Sequence, residues 1–292
     1  MTSLLIIDPQ NDFCDPEGSL YVPNAEQDMV RLSQFIVKNK FKINDIIVTQ
    51  DIHKPQSIDK ASWFINKTTG KHPEPFSEIM LYDHEQDYFN RDAGFPSNTE
   101  YVDFAIKIIN QYEFFTTTNP EVLSRTRDYL KSLDKMMMNH VVWPDHCVEE
   151  TWGCEINSYV KGAIDEYIKW NSRSSHRANV NYIIKGQDPL TEHYSAVKPL
   201  VYTNQTNDIN KDFVNLINNS DKIYIAGEAS NFCVFNTIID LVENSLYPFN
   251  LREKMVILTD CMSPVPGFEV FQNNFNDFIK EYGIQTMESK NA

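Results

Sequence analysis

The sequence predicts an α/β protein, with three αβα layers around a mostly parallel central sheet. Two observations carry this. Short apolar, β-branched runs alternate with stretches of helical period, the pattern of strands joined by crossover helices. Each apolar run also hands over to a polar residue or a glycine at its C-terminal end. In a parallel sheet those ends share one edge, where sites in such folds form.

The elements follow in order. Leu4–Ile7 reads as a buried strand that stops at Asp8-Pro9. Ala25–Lys38 sets Met29, Leu32, Phe35 and Ile36 on one helical face. Ile46–Thr49 is a second strand, ending at Gln50-Asp51. From His53 to Trp143 the order breaks down: Pro55, Pro73, Pro75, Pro96 and Pro120 punctuate a stretch rich in Asn, Asp, Thr and aromatics, and only Ser124–Leu133 reads as a helix. This is expected to be one long insertion, about 54–142, on the catalytic edge, because long loops in compact domains usually serve function. Asn171–Asn179 reads as a polar surface loop. Asn181–Ile184 ends at Lys185-Gly186, and Lys222–Ala226 ends at Gly227. Val234–Val242 reads as a helix, and Met255–Leu258 as a last strand before Thr259-Asp260. No repeat is visible, and residues 1–292 read as one domain carrying the insertion.

Composition narrows the classes. With 26 Lys+Arg against 41 Asp+Glu the formal net charge is −15, a surface that repels phosphate backbones and sets nucleic acid aside as a partner. Cys14, Cys147, Cys154, Cys233 and Cys261 are scattered and odd in number, unlike a secreted disulfide framework. Reduced thiols and a cytoplasmic location are expected. The N-terminus lacks a signal peptide's basic region, and no run approaches the roughly 20 apolar residues that span a bilayer.

Several segments end strands with residues that can do chemistry. Asp8 caps a turn on the plain reading; held in a poorly solvated cleft, its carboxyl would instead have a raised pKa and accept a proton. In Asp51-Ile52-His53, period two points both polar side chains one way and Ile52 into the core. Trp143-Pro144-Asp145-His146-Cys147 offers a further histidine in a proline-fixed turn. One carboxylate and two imidazoles suit a divalent transition metal, zinc, iron or manganese, although a bare Asp-x-His is weak support. Cys147 should turn away from that group as a buried thiol. His72 and His84, in the insertion, are candidate outer ligands. Lys185 is either a surface residue or, if buried beside Asp8, an ion pair. Gly227-Glu228-Ala229-Ser230-Asn231-Phe232-Cys233-Val234 delivers Cys233 to a helix N-terminus, where unpaired N–H groups favour a thiolate and can hold an oxyanion. A cysteine there is otherwise a small core residue.

Taken together the chain resembles the isochorismatase-like cysteine hydrolases and, among them, the nicotinamidase/pyrazinamidase family. The matching motifs are Ile7-Asp8-Pro9-Gln10-Asn11-Asp12-Phe13, Gln50-Asp51-Ile52-His53, Trp143-Pro144-Asp145-His146-Cys147-Val148, Lys185-Gly186 and the Cys233 turn, in family order. The Trp-Pro-x-His-Cys motif is what points to the nicotinamidases. The resemblance implies a catalytic triad of Asp8, Lys185 and Cys233 and oxyanion donors at Ala229 and Cys233. It implies a cis peptide between Glu228 and Ala229, and an aromatic pair, Phe13 and Trp143, on a pyridine ring. It also implies metal ligands at Asp51, His53 and His146, with zinc as the ion and iron or manganese as alternatives. The implied activity is hydrolysis of nicotinamide to nicotinic acid and ammonia through a cysteine thioester, in NAD salvage. A homo-oligomer is a further expectation.

The chain departs from the family in three places: the long stretch between His53 and His146, Ser230-Asn231 where Thr-Asp is common, and Glu228 where an apolar residue is usual. These leave three other readings open: a related hydrolase of another amide or ureido substrate, an inactive binding relative, and a metal-dependent hydrolase with a structural Cys233.

Overall fold

The computed structural model describes residues 1–66, 69–79, 112–114, 120–136, 138–173, 179–243 and 251–292. It falls into two compact units. One comprises Met1–Lys54, His146–Gln187 and His193–Ala292, the other Pro55–Asp145 and Asp188–Glu192.

In the first unit β1 (Thr2–Ile7), β2 (Asp45–Asp51), β3 (Asn179–Lys185), β4 (Lys222–Gly227), β5 (Met255–Leu258) and β6 (Gln285–Met287) form a sheet in the order β6-β5-β4-β1-β2-β3. Every pairing in this sheet among the described residues is parallel. Central strands are covered on both faces, so Leu4, Leu5, Ile6 and Ile7 are all fully buried and read as one apolar run rather than an alternation. Burying each such side chain contributes about 1.5–3 kcal/mol.

The helices are α1 (Ala25–Asn39), α2 (Ser158–Asn171), α3 (Lys211–Asn218), α4 (Phe235–Glu243) and α5 (Glu269–Tyr282). Leu5, Ile7, Ile47, Ile183, Ile223 and Ile225 face Phe213 and Ile217 of α3, Ile238 of α4 and Phe275 of α5. At period two Leu4, Ile6, Ile46 and Tyr224 face the other way. On that side α1 and α2 pack together, and Phe35 meets Tyr224 edge-on with ring centroids 5.2 Å apart. The result is the three-layer αβα arrangement that the sequence predicts. Strand order reverses between β1 and β4, the switch point at which open α/β sheets place their sites.

The structure corrects the reading in several places. The sheet gains β6, whose short Gln285–Met287 run has no apolar stretch to announce it. β2 runs through Asp51 rather than stopping before it, and Ile52 is only half-buried rather than in the core. The helix expected from Val234 begins earlier, as a π-turn over Ser230–Val234 that leads into α4.

The second unit has a core of its own, where the sequence shows no clear period. Phe64–Asn66 pairs antiparallel with Tyr112–Phe114, and Glu78–Ile79 with His140–Val141. The helix Pro120–Lys135 contains the expected Ser124–Leu133 and buries Tyr129, Leu130 and Leu133. Trp143 is buried in this unit: its N–H groups include a backbone donor to Asp59 O at 2.8 Å, and its ring lies 5.9 Å from that of Phe76. His84 lies outside the described residues.

Candidate active site

Asp8, Asp51, Lys185 and the Cys233 turn all belong to the first unit, at the C-terminal ends of β1, β2, β3 and β4. Two glycines make the approach there feasible. Gly227 has φ +118°, and a Cβ on it would lie 2.0 Å from Ile7 O on the neighbouring strand. Gly186 has φ +80°, and its Cβ would lie 2.4 Å from Asp51 Oδ1. Side chains at either position would be strained and would collide.

Asp8 follows β1 directly, with the left-handed φ of +45°, and is fully buried. Its Oδ1 accepts from Thr49 Oγ1 at 2.5 Å, and the same hydroxyl accepts from the Asp8 N–H at 3.0 Å. Lys185 ends β3, in register with Asp51. It is buried, not a surface residue. Its Nζ lies 2.9 Å from Asp8 Oδ2, 3.2 Å from Asp51 Oδ2 and 3.6 Å from Cys233 Sγ, and it donates to His193 O at 2.8 Å.

The ionisation of this cluster follows from burial and charge. Burial pushes the Asp8 carboxyl up, against the pull of Lys185. Burial would lower the Lys185 ammonium, but Asp51 and Asp8 overcome it and hold the pKa well above the usual lysine range. The Cys233 thiol is also pushed well up, by burial first, with Lys185 opposing and Asp8 and Asp51 adding to the rise. Burial beside two carboxylates thus opposes the pull of the turn's N–H groups on the thiol. Cys233 therefore needs a base, and a carboxylate oxygen of Asp8 lies within 4.8 Å of its sulfur.

Beside this cluster stand Asp51, His53 and His146, all buried, each offering one ligand atom within 4.8 Å of the others. Asp51 Oδ2 lies 3.0 Å from His53 Nε2 and 3.9 Å from His146 Nε2. Although burial acts to raise the Asp51 carboxyl, His53, Lys185 and His146 hold it well below the usual carboxylate range. An ionised carboxylate and two imidazoles converging at these distances fit a divalent metal ion. Asp8, Asp51 and Cys233 also converge within 4.8 Å, but the Lys185 ammonium already stands among them as their cation.

Neighbouring groups set this geometry, and the sequence reading missed them. Gln10 clasps the backbone of Asp51: its Nε2 donates to Asp51 O at 2.6 Å, and its Oε1 accepts from Asp51 N at 2.7 Å. Asp12 Oδ2 accepts from Cys147 N at 2.6 Å, fixing the turn that carries His146. Phe13 is buried, with its ring 5.4 Å from that of His146. Gln10 and Asp12 lie within the first motif, and Thr49 is a hydroxyl in an apolar strand; both are readable signals. His193 contributes a backbone carbonyl, which no sequence pattern reveals.

Other expectations resolve simply. Cys147 is buried and joins neither ligand group. His72 lies in the second unit with Nδ1 2.6 Å from Phe64 O, and it joins neither group. The Glu228–Ala229 peptide is cis. Among the described residues the Ala229 N–H donates to no backbone carbonyl. No described helix is long and apolar enough to cross a membrane.

No family model matches the chain. A nicotinamidase of Saccharomyces cerevisiae is 24% identical over 288 residues, covering 99% of this chain and 100% of the relative. The structure of the yeast nicotinamidase Pnc1p bound to the inhibitor nicotinaldehyde matches with a TM-score of 0.60 and 21% identity, over 99% of this chain and 100% of that one. A nicotinamidase/pyrazinamidase of Acinetobacter baumanii matches with a TM-score of 0.58 and 18% identity, over 99% and 97%. The chain has the fold these enzymes share.

Proposed function

We propose that this chain is a nicotinamidase, an amidohydrolase that converts nicotinamide to nicotinic acid and ammonia, as its place in NAD salvage would require. The observation that carries the reading is the meeting of Asp8, Lys185 and Cys233 in one buried cluster, with Lys185 Nζ 2.9 Å from the carboxylate and 3.6 Å from the sulfur. The curated relative of matching length is itself a nicotinamidase.

In this scheme Asp8 takes the thiol proton of Cys233, while Lys185 holds Asp8 in place and balances its charge. The thiolate attacks the carboxamide carbon, and the N–H groups of Ala229 and Cys233 receive the oxyanion. As the carbon–nitrogen bond breaks, Asp8 returns its proton to the leaving ammonia, which leaves a thioester on Cys233. Asp8 then takes a proton from water, the hydroxide adds to the thioester, and the acid departs as the proton returns to sulfur.

Asp51, His53 and His146 would hold one divalent ion, zinc on this donor set, with iron or manganese as alternatives. When bound, the ion supplies a Lewis-acid contact for the pyridine nitrogen, so its contribution is placement of the substrate. Phe13 and Trp143 are assigned to the pyridine ring by the resemblance, a use suited to flat side chains.

The test is ammonia release from nicotinamide by the purified protein, alongside Cys233→Ala and a chelator-treated sample. The reading expects turnover that disappears in the variant. Full activity in Cys233→Ala overturns the mechanism, and no turnover in the metal-loaded wild type overturns the substrate.

A further inference from the structure

Glu228 is the residue at which the cysteine turn departs most from the family pattern, and it is fully buried. Burial pushes its carboxyl well above the usual range, with Asp28 adding to the rise through its charge and a hydrogen bond. Among the described residues, the charged or titratable groups that act on it or feel its charge are Asp28 and Arg31 from α1 and Cys14 from the short helix Asn11–Cys14.

The geometry links the two acids independently of their titration. Ser263 donates its N–H to Glu228 Oε2 at 3.0 Å and its hydroxyl to Asp28 Oδ2 at 2.5 Å. Arg31 donates to Asp28 Oδ1 at 2.5 Å and to Asp260 O at 2.5 Å. The guanidinium is thus held by Asp28, and only its charge acts on Glu228. A second buried charge beside Asp28 would be poorly compensated, so burial favours the neutral form of Glu228.

The loop after β5 anchors the backbone on either side of Ala229. Gly227 N donates to Cys261 O and Ser230 N to Ser263 O, each at 2.9 Å, and the Asn231 amide exchanges hydrogen bonds with the Val265 N–H and carbonyl. Ala229 is framed by these contacts.

We propose that Glu228 is a positioning residue: by accepting the Ser263 N–H while Asp28 accepts the Ser263 hydroxyl, it fixes the backbone that presents the Ala229 N–H to the oxyanion. This rests on the reading of Ala229 as an oxyanion donor. Ionisation of Glu228 would place two negative charges against one Arg31 and loosen that backbone, so the device fails as pH rises.

The experiment measures kcat and KM for nicotinamide against pH in wild type, Glu228→Ala and Glu228→Gln. It adds the iodoacetamide reactivity of Cys233 and the infrared carbonyl band of a protonated carboxyl. Glu228→Ala is expected to lower kcat by about 10- to 100-fold with KM within about twofold, since an oxyanion donor acts mainly in the transition state. Thiol alkylation should be unchanged. Glu228→Gln keeps a neutral donor and should recover most of that loss, removing both the infrared band and an alkaline limb that wild type shows.

The same alkaline limb in Glu228→Gln, or a loss confined to KM, overturns the proposal while the nicotinamidase reading stands. A wild type that alkylates at Cys233 but leaves nicotinamide untouched overturns the functional reading instead, and the oxyanion role of Ala229 with it. Should Glu228→Ala not fold, Glu228→Gln and the infrared band decide alone.

Discussion

Lys185 Nζ lies 3.2 Å from Oδ2 of Asp51, so the cation assigned to the hydrolytic triad also touches the carboxylate assigned to the metal. It is buried, 2.9 Å from Asp8 as well. Removing it leaves Asp8 without its counter-charge in a desolvated pocket, a loss of about 3–5 kcal/mol in the usual case of a broken buried pair. Lys185→Met should therefore lower the unfolding free energy in denaturant titration and cut nicotinamide turnover by at least about 1,000-fold. Lys185→Arg should not rescue, because a planar guanidinium does not present donors as a compact ammonium does. Near-wild-type turnover in either variant would remove Lys185 from the triad.

The site was legible in the sequence for a physical reason. Asp8 and Cys233 follow buried parallel strands and Lys185 ends a partly exposed edge strand, and each strand announces itself as an apolar run with an abrupt polar or glycine stop. Less of the fold was legible where that signal is missing. β6 is three residues at the sheet edge, and α3 is only eight residues long. The 54–142 stretch was legible as an insertion but not in its internal structure, because its ladders are two or three residues long and its core is assembled from scattered aromatics. The ionisation of Cys233 was not legible for another reason: the turn fixes its place on the chain, but its pKa depends on burial that only the tertiary structure supplies.

The ligand group makes its own prediction. Asp51→Ala and His146→Ala should each lower bound metal, measured by elemental analysis after dialysis, because each removes one of three converging buried donors. Cys233→Ala should keep its metal, since Sγ is not among those donors. With placement as the ion's contribution, both ligand variants should raise KM for nicotinamide by about tenfold or more. A metal content lost in Cys233→Ala but retained in Asp51→Ala would relocate the site.

Gly227 sets the spacing of the switch point. At φ +118° with Ile7 O in the path of any Cβ, Gly227→Ala must push β4 away from β1. A forced separation of two central strands belongs with the more severe single substitutions, at about 3 kcal/mol or more. Thermal unfolding should show it as a lowered Tm; an unchanged Tm would mean the strands yield at little cost.

In the second unit, His140 predicts an acid limit to stability. It is buried, its Nε2 lies 2.8 Å from Ile58 O, and its Nδ1 lies 3.2 Å from the Tyr129 hydroxyl. Burial lowers its pKa from 6.5 to about 4, with Ile58 and Asp59 only partly opposing. Below pH 6.5 the unfolded chain takes up this proton while the folded chain refuses it, so the unfolded state binds more protons and stability falls with falling pH. The fall is confined to the window between about pH 6.5 and pH 4 and amounts to about 3 kcal/mol at most. His140→Gln keeps a polar side chain that does not titrate. It should flatten this part of the pH–stability curve in denaturant titrations, even if it lowers stability at pH 7. A wild-type slope preserved in His140→Gln would assign the acid sensitivity to other groups.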